Sequence, residues 1–120
     1  MIVSQSDPGQ SYNFRNLKEN EVLQWVASDL DEIVNILQQS KISLVVQNYP
    51  MDFSVNFILS RISGKFKLLF VDIYSIFQEK MANGIDQRDL FVLDGHCNAK
   101  GYGITAENDY KRIQAEGLLK

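Results

Sequence analysis

The sequence is short of the residues that staple, ligate or break a chain: one cysteine, one histidine, one tryptophan and two prolines in 120 residues. A single cysteine excludes an internal disulfide framework, so stability has to come from packing. One His beside one Cys, with no second ligand pair, falls short of the usual zinc set, and neither a metal nor another cofactor is expected. No apolar run approaches the roughly 20 residues that span a bilayer, and the polar N-terminus has no signal-peptide core. The chain therefore reads as cytoplasmic and membrane-free, any export signal belonging to a longer parent. A basic footprint is missing too: 12 Lys and Arg stand against 15 Asp and Glu, for a net charge of -3. The cations are scattered, so no nucleic acid partner is expected. There is no internal repeat, no Gly-rich phosphate loop and no Gly-x-Ser-x-Gly elbow.

What is present suits one small domain with an ordinary core. Residues 1–15 are polar and turn-rich around Asp7-Pro8-Gly9 and read as an arm, leaving 16–120 as a single α/β domain. Asn16-Leu17-Lys18-Glu19 has capping-box spacing. Val22, Trp25, Val26, Leu30, Ile33, Val34 and Leu37 follow at helical period, which places Trp25 in the core. The acidic residues Glu21, Asp29, Asp31 and Glu32 read as a solvated face.

Beyond this helix the pattern changes to short apolar runs. Ile42 to Gln47 predicts a buried strand closed by Asn48-Tyr49-Pro50, and Phe66 to Asp72 predicts a second. Between them Phe53 to Ile62 has helical spacing, with Gly64 placed to end it. A third helix runs through Ile76, Phe77 and Met81 to Asn83-Gly84. The last begins near Ala99 under an Asn98 cap, with Gly101 and Gly103 allowing close approach. Strands alternating with helices imply parallel pairing in an α/β layered fold, where ligands gather at the carboxyl ends of the strands. Asn48, Tyr49 and Asp72 fall at those ends and could share a crevice with His96. For Asp72, capping of the helix that begins near Ile73 is the preferred reading over substrate contact. Two strands are a poor parallel sheet by themselves, since such strands normally lie in larger sheets covered on both faces.

The chemistry concentrates in Asp94-Gly95-His96-Cys97-Asn98. An imidazole that hydrogen-bonds a carboxylate has the tautomer and basicity a hydrolase base needs. The plainer account is a polar surface histidine in an Asp-Gly turn. Cys97 beside it reads as a small packed hydrophobe, because adjacent side chains in an extended loop point apart.

The order of helix, Leu44-Val45-Val46-Gln47-Asn48-Tyr49-Pro50, helix, Phe70-Val71-Asp72, helix and Asp94-Gly95-His96-Cys97-Asn98-Ala99-Lys100-Gly101 resembles the C-terminal half of SGNH (GDSL-type) hydrolases over residues 20 to 115. That resemblance implies a flavodoxin-like three-layer α/β/α sandwich with parallel strands, and activity on ester or acylated small-molecule or carbohydrate substrates. It makes His96 the general base and Asp94 its orienting acid; Asn98, within the same motif, and Asn48 and Tyr49, placed at the strand end, are the candidate substrate-binding or supporting residues. Ala106-Glu107 matches the Ala-Glu pair of the family's final helix. Two departures stand out. Asp94 precedes His96 by two residues rather than three. The family's Gly-Asp-Ser strand and its oxyanion Gly and Asn have no counterpart, since Ser4 and Ser6 follow no apolar strand.

The expected fold is thus incomplete, lacking its N-terminal portion with the nucleophile, and the chain alone is expected to be inactive. The alternative is a non-catalytic module that self-associates. A sheet without its usual neighbours leaves strand edges open, so a homo-oligomer is expected.

Overall fold

The computed structural model describes residues 11–118, with side chains from residue 20 onward. The chain divides into two compact units, Met1–Ile42 and Ser43–Lys120, whereas the sequence suggested an arm over 1–15 and one domain over 16–120.

In the first unit a single helix, α1 (Ser11–Gln39), is described. It starts five residues ahead of the expected capping position, so Asn16 lies inside it. The cause is the lack of a breaker: no Pro or Gly occurs between Ser11 and Gln39, and every residue there tolerates helical backbone. Asp7-Pro8-Gly9 and the rest of residues 1–10 lie outside the described residues. Trp25, expected in the core, is 54% exposed. Its apolar stripe covers about half of the helix circumference, wider than one contact face, and Trp25 sits at the margin of that arc.

The second unit runs β1 (Val45–Gln47), α2 (Val55–Phe66), β2 (Leu69–Val71), α3 (Ile73–Ala82), a 3-10 turn at Gln87–Asp89 and α4 (Ala99–Ala115). The fold is thus mixed helix and strand around one parallel pair, with Val45 opposite Leu69, Val46 opposite Phe70 and Gln47 opposite Val71. Asn48 extends the ladder by donating its N–H to the Val71 carbonyl at 3.3 Å. Both strands are shorter than their apolar runs: β1 begins only at Val45, and β2 is displaced to Leu69 because α2 continues through Gly64 to Phe66. Among the described residues β1 has β2 as its one strand neighbour.

The core of this unit is built from Val71, Ile73, Phe77, Leu90 and Phe91, with the Phe77 and Phe91 rings 5.5 Å apart. Val45, Met51, Cys97 and Ile104 pack against it. Strand end, helix start and the turn carrying His96 therefore share one apolar support. Among the described residues no helix is long and apolar enough to cross a membrane.

Helix ends follow one scheme. After α2, Leu68 N–H donates to Ser63 C=O and Lys67 N–H to Gly64 C=O, the paired bonds of a Schellman ending. The left-handed position belongs to Lys67, at φ 55°, rather than to Gly64. A lysine there costs about 1 kcal/mol that glycine would not, and a mid-helix glycine costs a similar amount relative to alanine. Exchanging the two roles should stabilise the fold. Lys67→Gly and Gly64→Ala are each expected to add about 0.5–1 kcal/mol, read as a higher midpoint in urea denaturation. A Cβ at Gly64 meets nothing within 4 Å, so no clash offsets the gain.

Candidate functional site

The turn that carries the candidate residues is set by glycine. Gly95 N–H donates to Val92 C=O at 3.0 Å, Val92 N–H donates to His96 C=O at 2.8 Å, and Gly95 adopts φ +92°. This is a tight hairpin loop closed by a left-handed glycine, a backbone that a side chain at 95 would strain. Phe91 and Cys97 bridge in antiparallel fashion at its base. Below the turn, Met51 Sδ lies 3.4 Å from where a Cβ on Gly95 would stand.

Within the loop, Asp94 Oδ1 accepts from His96 N–H at 3.1 Å and contacts His96 Nδ1 at 2.9 Å. The side-chain hydrogen bond from His96, followed by the backbone one, holds the Asp94 carboxyl below the usual carboxylate range. An ionised carboxylate accepts only, so the proton of the 2.9 Å contact belongs to Nδ1. Nε2 remains as the ring's free polar atom. Both side chains are mostly exposed, at 73% for His96 and 68% for Asp94. The pair is held by the loop itself, not by burial.

Asp94, Gly95 and His96 line a cavity of about 240 Å³. Its opposite wall is the segment after β1, with Tyr49, Pro50, Met51 and Phe53, and its third side is α4, through Tyr102 and Thr105. Tyr49 and Phe53 meet edge to face, ring centroids 5.5 Å apart. A residue the sequence reading missed organises this wall. Asn56 Oδ1 accepts from Tyr49 N–H at 2.8 Å, and Asn56 Nδ2 donates to the Tyr49 and Met51 carbonyls at 3.1 and 2.8 Å. The only local signal is a short amide at the start of α2, the type that closes loops through side-chain-to-backbone bonds.

Of the residues anticipated at the site, Asp94, His96 and Tyr49 come together around this cavity, and Asn48, Asp72 and Asn98 do not line it. Asn48 is buried; its Nδ2 donates to Asp72 Oδ1 at 2.9 Å and its Oδ1 accepts Tyr74 N–H at 3.0 Å. Asp72 caps α3, accepting from Ser75 N–H at 3.1 Å and from the Ser75 hydroxyl at 2.7 Å. Partial burial pushes the Asp72 carboxyl up, but the bonds from Asn48 and Ser75 together outweigh it and leave it below its ordinary value. Asn98 caps α4 by accepting Gly101 N–H at 2.9 Å, and its Nδ2 donates to Asp89 C=O at 2.9 Å. Burial pushes the Cys97 thiol up, the opposite of an activated nucleophile. The Thr105 hydroxyl donates to Gly101 C=O at 3.1 Å, and no serine lines the cavity.

A second opening of about 450 Å³ lies between β2, α3 and α4, lined in part by Phe70, Asp72, Ser75, Lys111 and Arg112. It shares no lining residue with the first. Among the described residues no group of three or more His, Cys, Asp or Glu could hold a metal ion.

The chain matches no family model, no curated protein and no solved structure.

Proposed function

We propose that this chain supplies the Asp–His half of an SGNH (GDSL-type) ester hydrolase, its parallel pair being part of a flavodoxin-like three-layer sandwich. The observation that carries the reading is the 2.9 Å contact between Asp94 Oδ1 and His96 Nδ1 at the rim of an apolar cavity. In that role His96 Nε2 takes the proton of an attacking hydroxyl, and Asp94 stabilises the imidazolium that forms. The deprotonated oxygen adds to the ester carbonyl, and the imidazolium returns the proton to the departing alkoxide. Acylated small molecules or carbohydrates are the substrate class.

The attacking hydroxyl comes from outside the cavity lining, so the 120-residue chain does not turn over esters unaided. The test supplies the missing group in solution. With 4-nitrophenyl butyrate as acyl donor and ethanol as nucleophile, the chain is expected to form ethyl butyrate faster than its His96→Ala variant does. Without ethanol, His96-dependent hydrolysis is expected to stay at the level that free imidazole gives at the same concentration. Equal alcoholysis by the two proteins removes the base role. Turnover of the ester without added alcohol well above the imidazole level, lost in His96→Ala, removes the claim of inactivity.

A second reading, a self-associating module without catalysis, is favoured by a different observation. β1 has one strand neighbour among the described residues, and Leu93 at the hairpin tip is fully exposed. Open strand edges and exposed apolar tips favour pairing with another copy. Light scattering across a wide concentration range tests it, a dimer or larger mass being the expected result and a monomer throughout the contrary one.

A further inference from the structure

The cavity beside His96 has a size, a largely apolar lining and a hydrogen-bonding imidazole at its rim, and together they specify a ligand. An apolar protein cavity of about 150 Å³ is enough to take benzene. At about 240 Å³ this one has room for a single ring and on the order of three further heavy atoms. Its lining includes Tyr49, Met51, Phe53 and Tyr102, with Gln47 and Thr105 as polar neighbours, and aromatic and thioether surfaces favour an aromatic guest through edge-to-face and sulfur contacts. The backbone beneath this wall is held beforehand, because the Asn56 amide accepts from Tyr49 N–H and donates to the Tyr49 and Met51 carbonyls. Preformed walls spare a ligand the cost of ordering them.

The polar end is equally defined. His96 Nδ1 is committed to Asp94 at 2.9 Å, so in the neutral imidazole Nε2 is a hydrogen-bond acceptor and the matching ligand atom is a donor. Asp94 is the one carboxylate in the lining, and an anionic ligand would face it across the rim.

We propose that this cavity binds an uncharged single-ring aromatic compound carrying a hydroxyl, the ring seated among Met51, Phe53 and Tyr102 and the hydroxyl donating to His96 Nε2. The site needs no catalysis and stands apart from the hydrolytic reading, because its test reads binding alone. An aromatic alcohol held this way would also have its oxygen at the base.

Three probes separate the parts of the claim: phenol, anisole, which lacks the O–H, and benzoate, which adds a charge. Each is titrated into the ¹⁵N-labelled full chain at pH 7.5, with amide shifts recorded. Phenol is expected to give saturable shifts at residues 49–53 and 95–97 and to bind about tenfold more tightly than either analogue, a difference of about 1.4 kcal/mol. His96→Leu, a change at an exposed ring, should reduce phenol to the level of anisole. Thr105→Phe should fill the cavity and abolish the shifts. Equal affinity for phenol and anisole refutes the bond to Nε2, and equal affinity for benzoate refutes the charge argument. Absence of saturable shifts at 49–53 and 95–97 refutes the site, including the case in which a second copy of the chain already covers it.

Discussion

Replacing Gly101 by alanine should lower the melting temperature of the protein by about 10 °C, while the same change at Gly103, two residues along the same helix, should raise it slightly. A Cβ at Gly101 would collide with the Leu90 carbonyl oxygen and come within 3.0 Å of Cys97 Cβ and 3.1 Å of Cys97 Sγ. Neither neighbour can give way cheaply. Leu90 is completely buried and its carbonyl accepts the Asn98 N–H at 2.9 Å, so moving it breaks the bond that anchors the start of α4. Overpacking of this kind costs typically about 1–3 kcal/mol, and more when backbone is the obstacle. Alanine's helix preference, about 1 kcal/mol over glycine, offsets only part of that. The net loss is about 2 kcal/mol, which at about 4–8 °C per kcal/mol for a domain of this size gives the expected shift.

Gly103 is the control that isolates the steric term. A Cβ there meets nothing within 4 Å, so Gly103→Ala keeps the helix preference without a clash and should gain up to about 1 kcal/mol. Paired thermal melts read both variants, and shifts of the same sign would sink the argument. The local pattern treats the two glycines alike, as small residues near a helix start. What tells them apart is the position of Cys97 and of the Leu90 carbonyl, the latter eleven residues earlier in the chain.

That contrast marks the general boundary between what was legible and what was not. Features fixed by a few adjacent residues were read correctly: Asn98 before α4, Asp72 before α3, and the Asp94-Gly95 turn, each a side chain or backbone meeting its own neighbourhood. The parallel pair was legible because Leu44-Val45-Val46 and Leu68-Leu69-Phe70-Val71 are apolar runs too short for helices. Where two local rules compete, the reading failed. Gly64 looks like a helix stop, yet a helix tolerates one glycine at modest cost, and Lys67 took the left-handed position instead. The cavity is less legible still. The strand-end rule reaches Tyr49, but Met51, Phe53, Tyr102 and Thr105 come from two segments about fifty residues apart, and no periodicity relates them to His96. Asn56 acts through backbone groups of its neighbours, which a search for charged or nucleophilic side chains passes over.

Asn48 offers the sharpest choice between a ligand-binding and an architectural role. Asn48→Ala is expected to destabilise the protein by about 2–3 kcal/mol, a loss that unfolding in urea would register directly. Its amide joins the end of β1 to the start of α3 by accepting Tyr74 N–H at 3.0 Å and donating to Asp72 at 2.9 Å. Tyr74 N–H belongs to the first turn of α3, where no intrahelical acceptor exists. Truncation therefore strands a donor and deprives the Asp72 carboxylate of a partner. The pH dependence follows from the direction of the Asp72 shift. A carboxyl held below its ordinary value of 3.8 contributes stability that is present above that value and is lost as the pH falls through the folded value. Without the Asn48 donor the folded value moves back up, so the difference between wild type and Asn48→Ala should be constant near neutrality and shrink below about pH 4. A ligand-contact role predicts the reverse pattern: stability within about 0.5 kcal/mol of wild type at every pH, with altered binding at the cavity. Asn48 does not reach that cavity. Its substitution should therefore weaken phenol binding only where the protein has begun to unfold, and a stable Asn48→Ala protein with impaired binding would overturn the architectural assignment.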